Sequence, residues 1–328
     1  MDTLHSIVLF LLTALTLFGF YGLLAWGLGL IFGQLGVVNV AHGDFAMVGA
    51  FTMFAFPNVP FFLRLLLSVL FAIVLGYITE RYLLRKLYAK GMLATLLAMW
   101  GVGIVIRQGL EAWFGTTPGS VSPPIHASIT LLGVQYPSYR LLATAISIML
   151  IAGGLVIIYR TNLGLRLRAS IDNRQMAALL GISPTVMITG TFMVGTVLAV
   201  VAGALQSPML GVTPSVGLSF LAPAFFAVLV GKPGSLGGPI LGAAIVALLQ
   251  TALRTFFTET VASLLFFAIL IALIALRPQG LNWRIPKWKT RKISPQVISK
   301  QPETNLRKPV QIEETYQTVA EPGQSRQE

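Results

Sequence analysis

The sequence predicts an all-α polytopic membrane protein of eight or nine transmembrane helices, and three observations carry that expectation. Hydrophobic residues fill 55% of the 328 positions and charged residues only 10%, with a mean hydropathy of +0.80. A soluble domain carries about 25% charged residues. The apolar residues are gathered into runs of about twenty, the length a helix needs to cross the hydrocarbon; barrel strands would read as about ten alternating residues. The basic residues sit in short stretches between the runs and in a C-terminal tail. That is the distribution of orienting charges, so the net charge of +12 does not imply a nucleic-acid partner. Cysteine is absent, which excludes disulfides and thiolate metal sites.

The elements follow in order. Ile7–Phe32 is free of charge and long enough for a tilted span. It lacks the basic start and small-residue cleavage site of a signal peptide, so it is expected to be retained. Gly33–Asp44, GQLGVVNVAHGD, interrupts the apolar pattern with Gln34, Asn39, His42 and Asp44, and Phe45–Phe56 is apolar but short, so the second element should begin near Asn39. Phe61–Thr79 is the third span, broken only by Arg64, and Glu80–Lys90 follows as a basic loop with Arg81, Arg85, Lys86 and Lys90. Met92–Phe114 is the fourth span. Arg107 and Glu111 stand four apart near its end, the spacing of a helical salt bridge. Gly115–Ser138 is a loop rich in Pro, Gly, Ser and Thr without lysine or arginine, and Tyr139–Ile158 is the fifth span. Beyond a polar island come Thr185–Gln206, Ser215–Gly231, Leu236–Leu253 and Val261–Leu276, the last short enough to need flanking residues. Residues 1–280 therefore form the membrane domain. Leu281–Glu328, with nine Lys/Arg against five Asp/Glu and several prolines, is expected to be a largely disordered tail, its Trp283–Lys292 part resting on anionic lipid. Paired small residues such as Gly195 and Gly203, or Gly238 and Gly242, are expected to permit close helix packing.

Orientation comes from the basic segments. Glu80–Lys90, the island and the tail should all be cytoplasmic, and even numbers of spans lie between them. Three spans before Glu80 put the N-terminus outside, in agreement with Met1–Ser6 having no lysine or arginine. Were Asn39–Phe56 re-entrant, the count would be eight and the N-terminus inside.

The island, Tyr159–Pro184, sets Arg160, Arg166, Arg168 and Arg174 against the single acid Asp172. Ser170–Gly181 reads as one short helix, with Asp172 and Gln175 at capping-box spacing, Gly181 as a left-handed stop and Pro184 opening the next element. Ala177, Ala178 and Leu180 would offer a small apolar surface to a cytoplasmic partner, while Asp172, Arg174 and Gln175 stay wet. The plainer alternative is a basic loop lying on lipid headgroups. Asn39, His42 and Asp44 likewise admit two readings, a polar translocation path or a helix cap at the membrane surface. Gly231–Gly242, GKPGSLGGPILG, is either irregular backbone lining a cavity or a tight turn anchored by Lys232. Catalytic chemistry is scarce. His5, His42 and His126 are far apart, and no P-loop occurs, since Phe226 stands where its first glycine would be and Pro233 follows Gly231-Lys232.

Taken together, several stretches resemble one family. Gly27–Ala50, GLGLIFGQLGVVNVAHGDFAMVGA, is similar to the signature of the permease subunits of branched-chain amino-acid ABC importers, and Arg168–Ile182, RASIDNRQMAALLGI, to their cytoplasmic coupling segment. Gly231–Gly242 falls where that family has a glycine-serine-glycine turn, and Arg277–Leu281, RPQGL, resembles its ending. Asp44 departs from the usual glutamate, Lys232-Pro233 from the usual small residues, and the tail after Leu281 is longer. The resemblance implies a multi-pass subunit of the bacterial inner membrane that forms a channel with a second, similar permease. Two cytoplasmic ATPase subunits would bind the ATP, so this chain needs no cofactor, and an external solute-binding protein would deliver the ligand. Ser170, Asp172, Ala177, Ala178 and Gly181 would belong to the ATPase-coupling segment. Urea and short-amide importers share these motifs. A self-sufficient transporter driven by protons or sodium through Asp44 or Glu111 is the competing class.

Overall fold

A computed structural model describes residues 2–276; the expectations for Arg277–Leu281 and for the tail lie outside the described residues. The first helix, α1 (Asp2–Leu35), is 34 residues long, about 50 Å at 1.5 Å per residue. Its start defines an upper face of the bundle and its end a lower face. After a non-helical stretch come α2 (His42–Ala55) and α3 (Phe61–Ile78). Past α4 (Met92–Phe114), a hairpin of β1 (Ser128–Leu131) and β2 (Val134–Pro137) precedes α5 (Ser138–Arg160). Two short helices, α6 (Asn162–Asp172) and α7 (Arg174–Leu179), lead to α8 (Pro184–Leu210), α9 (Val216–Val230), α10 (Gly238–Phe256) and α11 (Glu259–Leu276).

Seven helices among the described residues are long and apolar enough to cross a membrane. The other two of the nine expected segments are α2, with 14 residues, and α9, with 15. Each is about 22 Å long, short of the roughly 30 Å hydrocarbon core. Both begin inside the bundle: a Cβ added at Gly43 would run into the Gly217 carbonyl, so the first turns of the two helices touch.

The centre of the fold is α2 packed against α8. A side chain at Gly49 would strike the Val200 carbonyl, and one at Gly203 the Ala46 carbonyl. Backbone meets backbone here because small residues face each other, as the paired glycines led one to expect. Gly242 lies against the Ala227 carbonyl in the same way, joining α9 to α10. Arg64 is buried, yet it donates 2.7 Å to the Met53 carbonyl in the last turn of α2. A cation at a helix C-terminus is favourably placed, which makes its burial tolerable.

Both faces are tied by polar contacts. At the upper face Tyr136 Oη donates to Leu12 O at 3.1 Å, Tyr139 Oη to Leu205 O at 2.7 Å, and Gly119 pairs with Val212. At the lower face Gln34 bonds Ser170, and Arg85 reaches Thr189 at 2.7 Å. The Gly115–Ser138 segment thus lies at the face opposite Glu80–Lys90 and Tyr159–Pro184, in keeping with the even span counts.

Two local expectations are corrected, and one alternative is decided. Glu80–Lys90 is not a loop: the third helix continues through a π-helical turn, Thr79–Leu84, to Lys90. Glu80, fully buried, pairs with Arg85 at 3.0 Å, and residues five apart are those that a π turn aligns. Gly115–Ser138 contains a hairpin, closed by Leu132 at φ 50° and Gly133 at φ 86°. Two positive-φ residues form the turn that matches strand twist, and Leu-Gly is a weak sequence signal for it. The Gly231–Gly242 stretch is a tight turn: Lys232 and Gly234 have φ of 76° and 81°, and Trp26 Nε1 donates 2.9 Å to Leu236 O, pinning it to α1.

Candidate functional site

The polar break between α1 and α2 is built by a reversal of the chain. Gly36, at φ 70°, ends the first helix, and the next residues climb back along it. By His42 the chain has risen to the level of Leu24, about 16 Å above the end of α1. There His42 Nε2–H donates to Leu24 O at 3.0 Å. Its Nδ1 is buried without a partner, as are both amide atoms of Asn39. Asp44, 2% exposed, faces Arg107 Nε at 3.1 Å, although its Oδ1 forms no well-aligned hydrogen bond. A Cβ at Gly103 would collide with Asp44 Oδ2, so the carboxylate rests on bare backbone of α4.

This geometry settles one alternative and corrects one pairing. The residue before α2 is Ala41, and no side chain caps the helix; α2 starts in the bundle interior, so His42 and Asp44 are not a surface cap. Arg107 pairs with Asp44, 63 positions away, rather than with Glu111 on its own helix. Glu111 instead accepts from Gln108 Nε2 at 3.2 Å near the upper end of α4. What results is a set of polar groups at membrane depth, one ion pair and three unpartnered atoms, beside the facing first turns of two half-length helices. Helix N-termini carry a partial positive charge and free N–H groups.

The lower-face island is two helices, not one. Asn173, at φ −154° and ψ 104°, breaks it, and its Oδ1 accepts from Met176 N at 2.9 Å. Asn173 is therefore the cap that the Asp172–Gln175 spacing was expected to supply. Gly181 does have positive φ, 78°, and Pro184 opens α8. Ser170 is fully buried and accepts from Gln34 Nε2 at 2.8 Å, while Arg174 Nη2 donates to Gln34 O. Ala177 is also buried, so it faces this chain and not a partner. Asp172 and Ala178 are exposed, alongside Met176, Leu179 and Leu180, of which Leu179 is 81% and Leu180 72% exposed. The outward apolar surface is thus Met176–Leu180 without Ala177. Gln34 is the residue whose role was missed; its signal was a lone amide closing a long apolar run.

Comparison with known proteins adds a further finding. Residues 10–274 match the profile of a family described as branched-chain amino acid transport system / permease component. The chain is 27% identical over 295 residues to the high-affinity branched-chain amino acid transport system permease protein BraD of Pseudomonas aeruginosa, covering 84% of this chain and 95% of that protein. It is 25% identical over 287 residues to the corresponding protein LivH of Escherichia coli strain K12, covering 82% and 93%. A probable branched-chain amino acid transport permease protein LivH of Methanocaldococcus jannaschii is 26% identical over 283 residues, covering 79% and 87%. No solved structure matches this chain.

Proposed function

From a chain that belongs to the permease-component family of branched-chain amino acid transport systems, and is thus a multi-pass membrane subunit of an ABC importer, we propose a specific division of labour. The solutes are branched-chain amino acids or similar small polar molecules. A solute-binding protein presents them at the upper face, which is external; the lower face, with Arg81, Arg85, Lys86, Arg166, Arg168 and Arg174, is cytoplasmic by the charge asymmetry. Two ATPase subunits bind the ATP and dock on the lower face, and a second permease completes the channel in the bacterial inner membrane.

The observation that carries this reading is the polar break. Asn39, His42 and Asp44 are buried at membrane depth with polar atoms unpartnered, beside the N-termini of two half-length helices. Such groups are costly in a bilayer and mark solute paths, and broken helices are the usual means of exposing backbone to a solute. The island beneath supplies the mechanical link: Gln34 ties the foot of α1 to Ser170 and Arg174, so displacement of the Met176–Leu180 surface is passed to the helix on which His42 hangs. The secondary-transporter alternative finds less support, since Asp44 is already ion-paired and Glu111 lies near the upper end of its helix.

Uptake of labelled leucine into vesicles, with the ATPases and binding protein supplied and withheld, tests the reading. Uptake is expected only with ATP and binding protein together. Accumulation driven by a proton or sodium gradient alone would contradict it.

A further inference from the structure

The first turn of α9 begins inside the bundle, against that of α2. The room above its first turn is occupied by two adjoining cavities of about 400 and 450 Å³. The upper one reaches from Ser6 to Leu17 along α1; the deeper one ends on Val216, Ser219 and Phe220 of α9. They share Leu17, Gln206, Leu210 and Arg254. Gln206 is 7% exposed, lines both cavities, and has no hydrogen-bond partner among the described residues. Its primary amide offers two donors and an acceptor to the cavities.

The lining is chemically mixed. Leu17, Phe20, Leu210 and Phe266 make an apolar side. Among them stand Arg254, whose guanidinium pairs with Glu259 at 2.7 Å while staying 44% exposed, and the first turn of α9, where Phe220 packs edge-on against Phe20, Val216 N–H donates to Thr213 O, and the following N–H groups lack intrahelical partners. Arg140 adds a second cation in the upper cavity. Against these stands one acid, Glu259. Apolar side chains beside cationic donors suit a small molecule with a carboxylate at one end and a hydrocarbon side chain at the other.

We propose that these cavities form a substrate vestibule within this single chain, in which Arg254 and the first turn of α9 hold the carboxylate of an amino acid, Gln206 a second polar group, and Leu17 and Phe266 its side chain. The inference rests on the importer reading above and sharpens it, because urea and short amides lack the anionic group that this wall selects.

The test is equilibrium binding of labelled leucine to the purified permease–ATPase complex without binding protein, beside ATP-dependent leucine uptake by the same complex in vesicles with binding protein supplied. Saturable binding is expected, displaced by valine but not by leucinamide. Arg254→Gln and Gln206→Leu should each weaken it about tenfold or more, the loss expected when a charged or buried hydrogen-bond partner is removed. Glu259→Gln breaks the same ion pair but keeps the guanidinium, and should bind leucine at least as well as the parent. Three results overturn the proposal: no leucine binding by a complex that imports leucine, equal competition by leucinamide, or unchanged binding in both variants. In each case the importer reading stands. Failure of the unmodified complex to import leucine at all strikes the reading itself. A phospholipid that co-purifies and is lost in Arg254→Gln, with no leucine binding, would assign the cavities to lipid and overturn the vestibule.

Discussion

The polar break and the lower-face island hold their polar groups in opposite ways. At the break every functional group is turned inward: Asp44 meets Arg107, His42 meets the α1 backbone, and Asn39 is sealed among helices. At the island the inward groups are structural, Ser170 and Ala177, and the outward ones, Met176, Ala178, Leu179 and Leu180, are exposed. The difference teaches where stability and function coincide. A change at the break should disturb the fold and the solute path together, whereas a change on the outer face of the island should disturb association alone.

Substitutions can break that contrast, and the largest effect belongs to the ion pair. Arg107→Leu strands a buried carboxylate, which costs about 3–5 kcal/mol; the expected outcome is sharply reduced folded protein in detergent, and Asp44→Asn added to it should restore much of the yield. Gly203→Ala comes next. Its new methyl group runs into the Ala46 backbone, and overpacking of this kind costs about 1–3 kcal/mol, read as a lower midpoint of thermal unfolding. Ser170→Ala should cost about 1–2 kcal/mol, because the Gln34 amide loses its buried partner. Ala178→Arg is smallest in stability, within about 0.5 kcal/mol for an exposed site, yet it should abolish co-purification of the ATPase. Ala177→Arg, facing inward, should instead lower the unfolding midpoint, and equal stability of the two variants would show that the island is not divided as described.

Much of this was legible in the residues. Run lengths located the spans, and Gly181 and Pro184 marked the end of the island correctly. What escaped depended on distance. Arg107 had a nearby acid at helical spacing, Glu111, and only the fold brings Asp44 within 3.1 Å. Ser215–Gly231 read as an ordinary span because an apolar run does not reveal the depth at which it starts; that is decided by Gly217 meeting Gly43. Ala177 and Ala178 could not be told apart because helix phase restarts at Asn173, where a single residue in extended conformation resets which side faces the bundle.

The most direct measurement is leucine uptake in vesicles, divided by the amount of ATPase that co-purifies, compared between Asp44→Asn and Ala178→Arg. If the break is the path and the island the coupling surface, Asp44→Asn keeps the ATPase and lowers uptake per bound ATPase. Ala178→Arg should lose the ATPase and leave that ratio, for the residual complexes, near the parental value. Loss of ATPase binding in Asp44→Asn, with Ala178→Arg fully associated, would contradict the account.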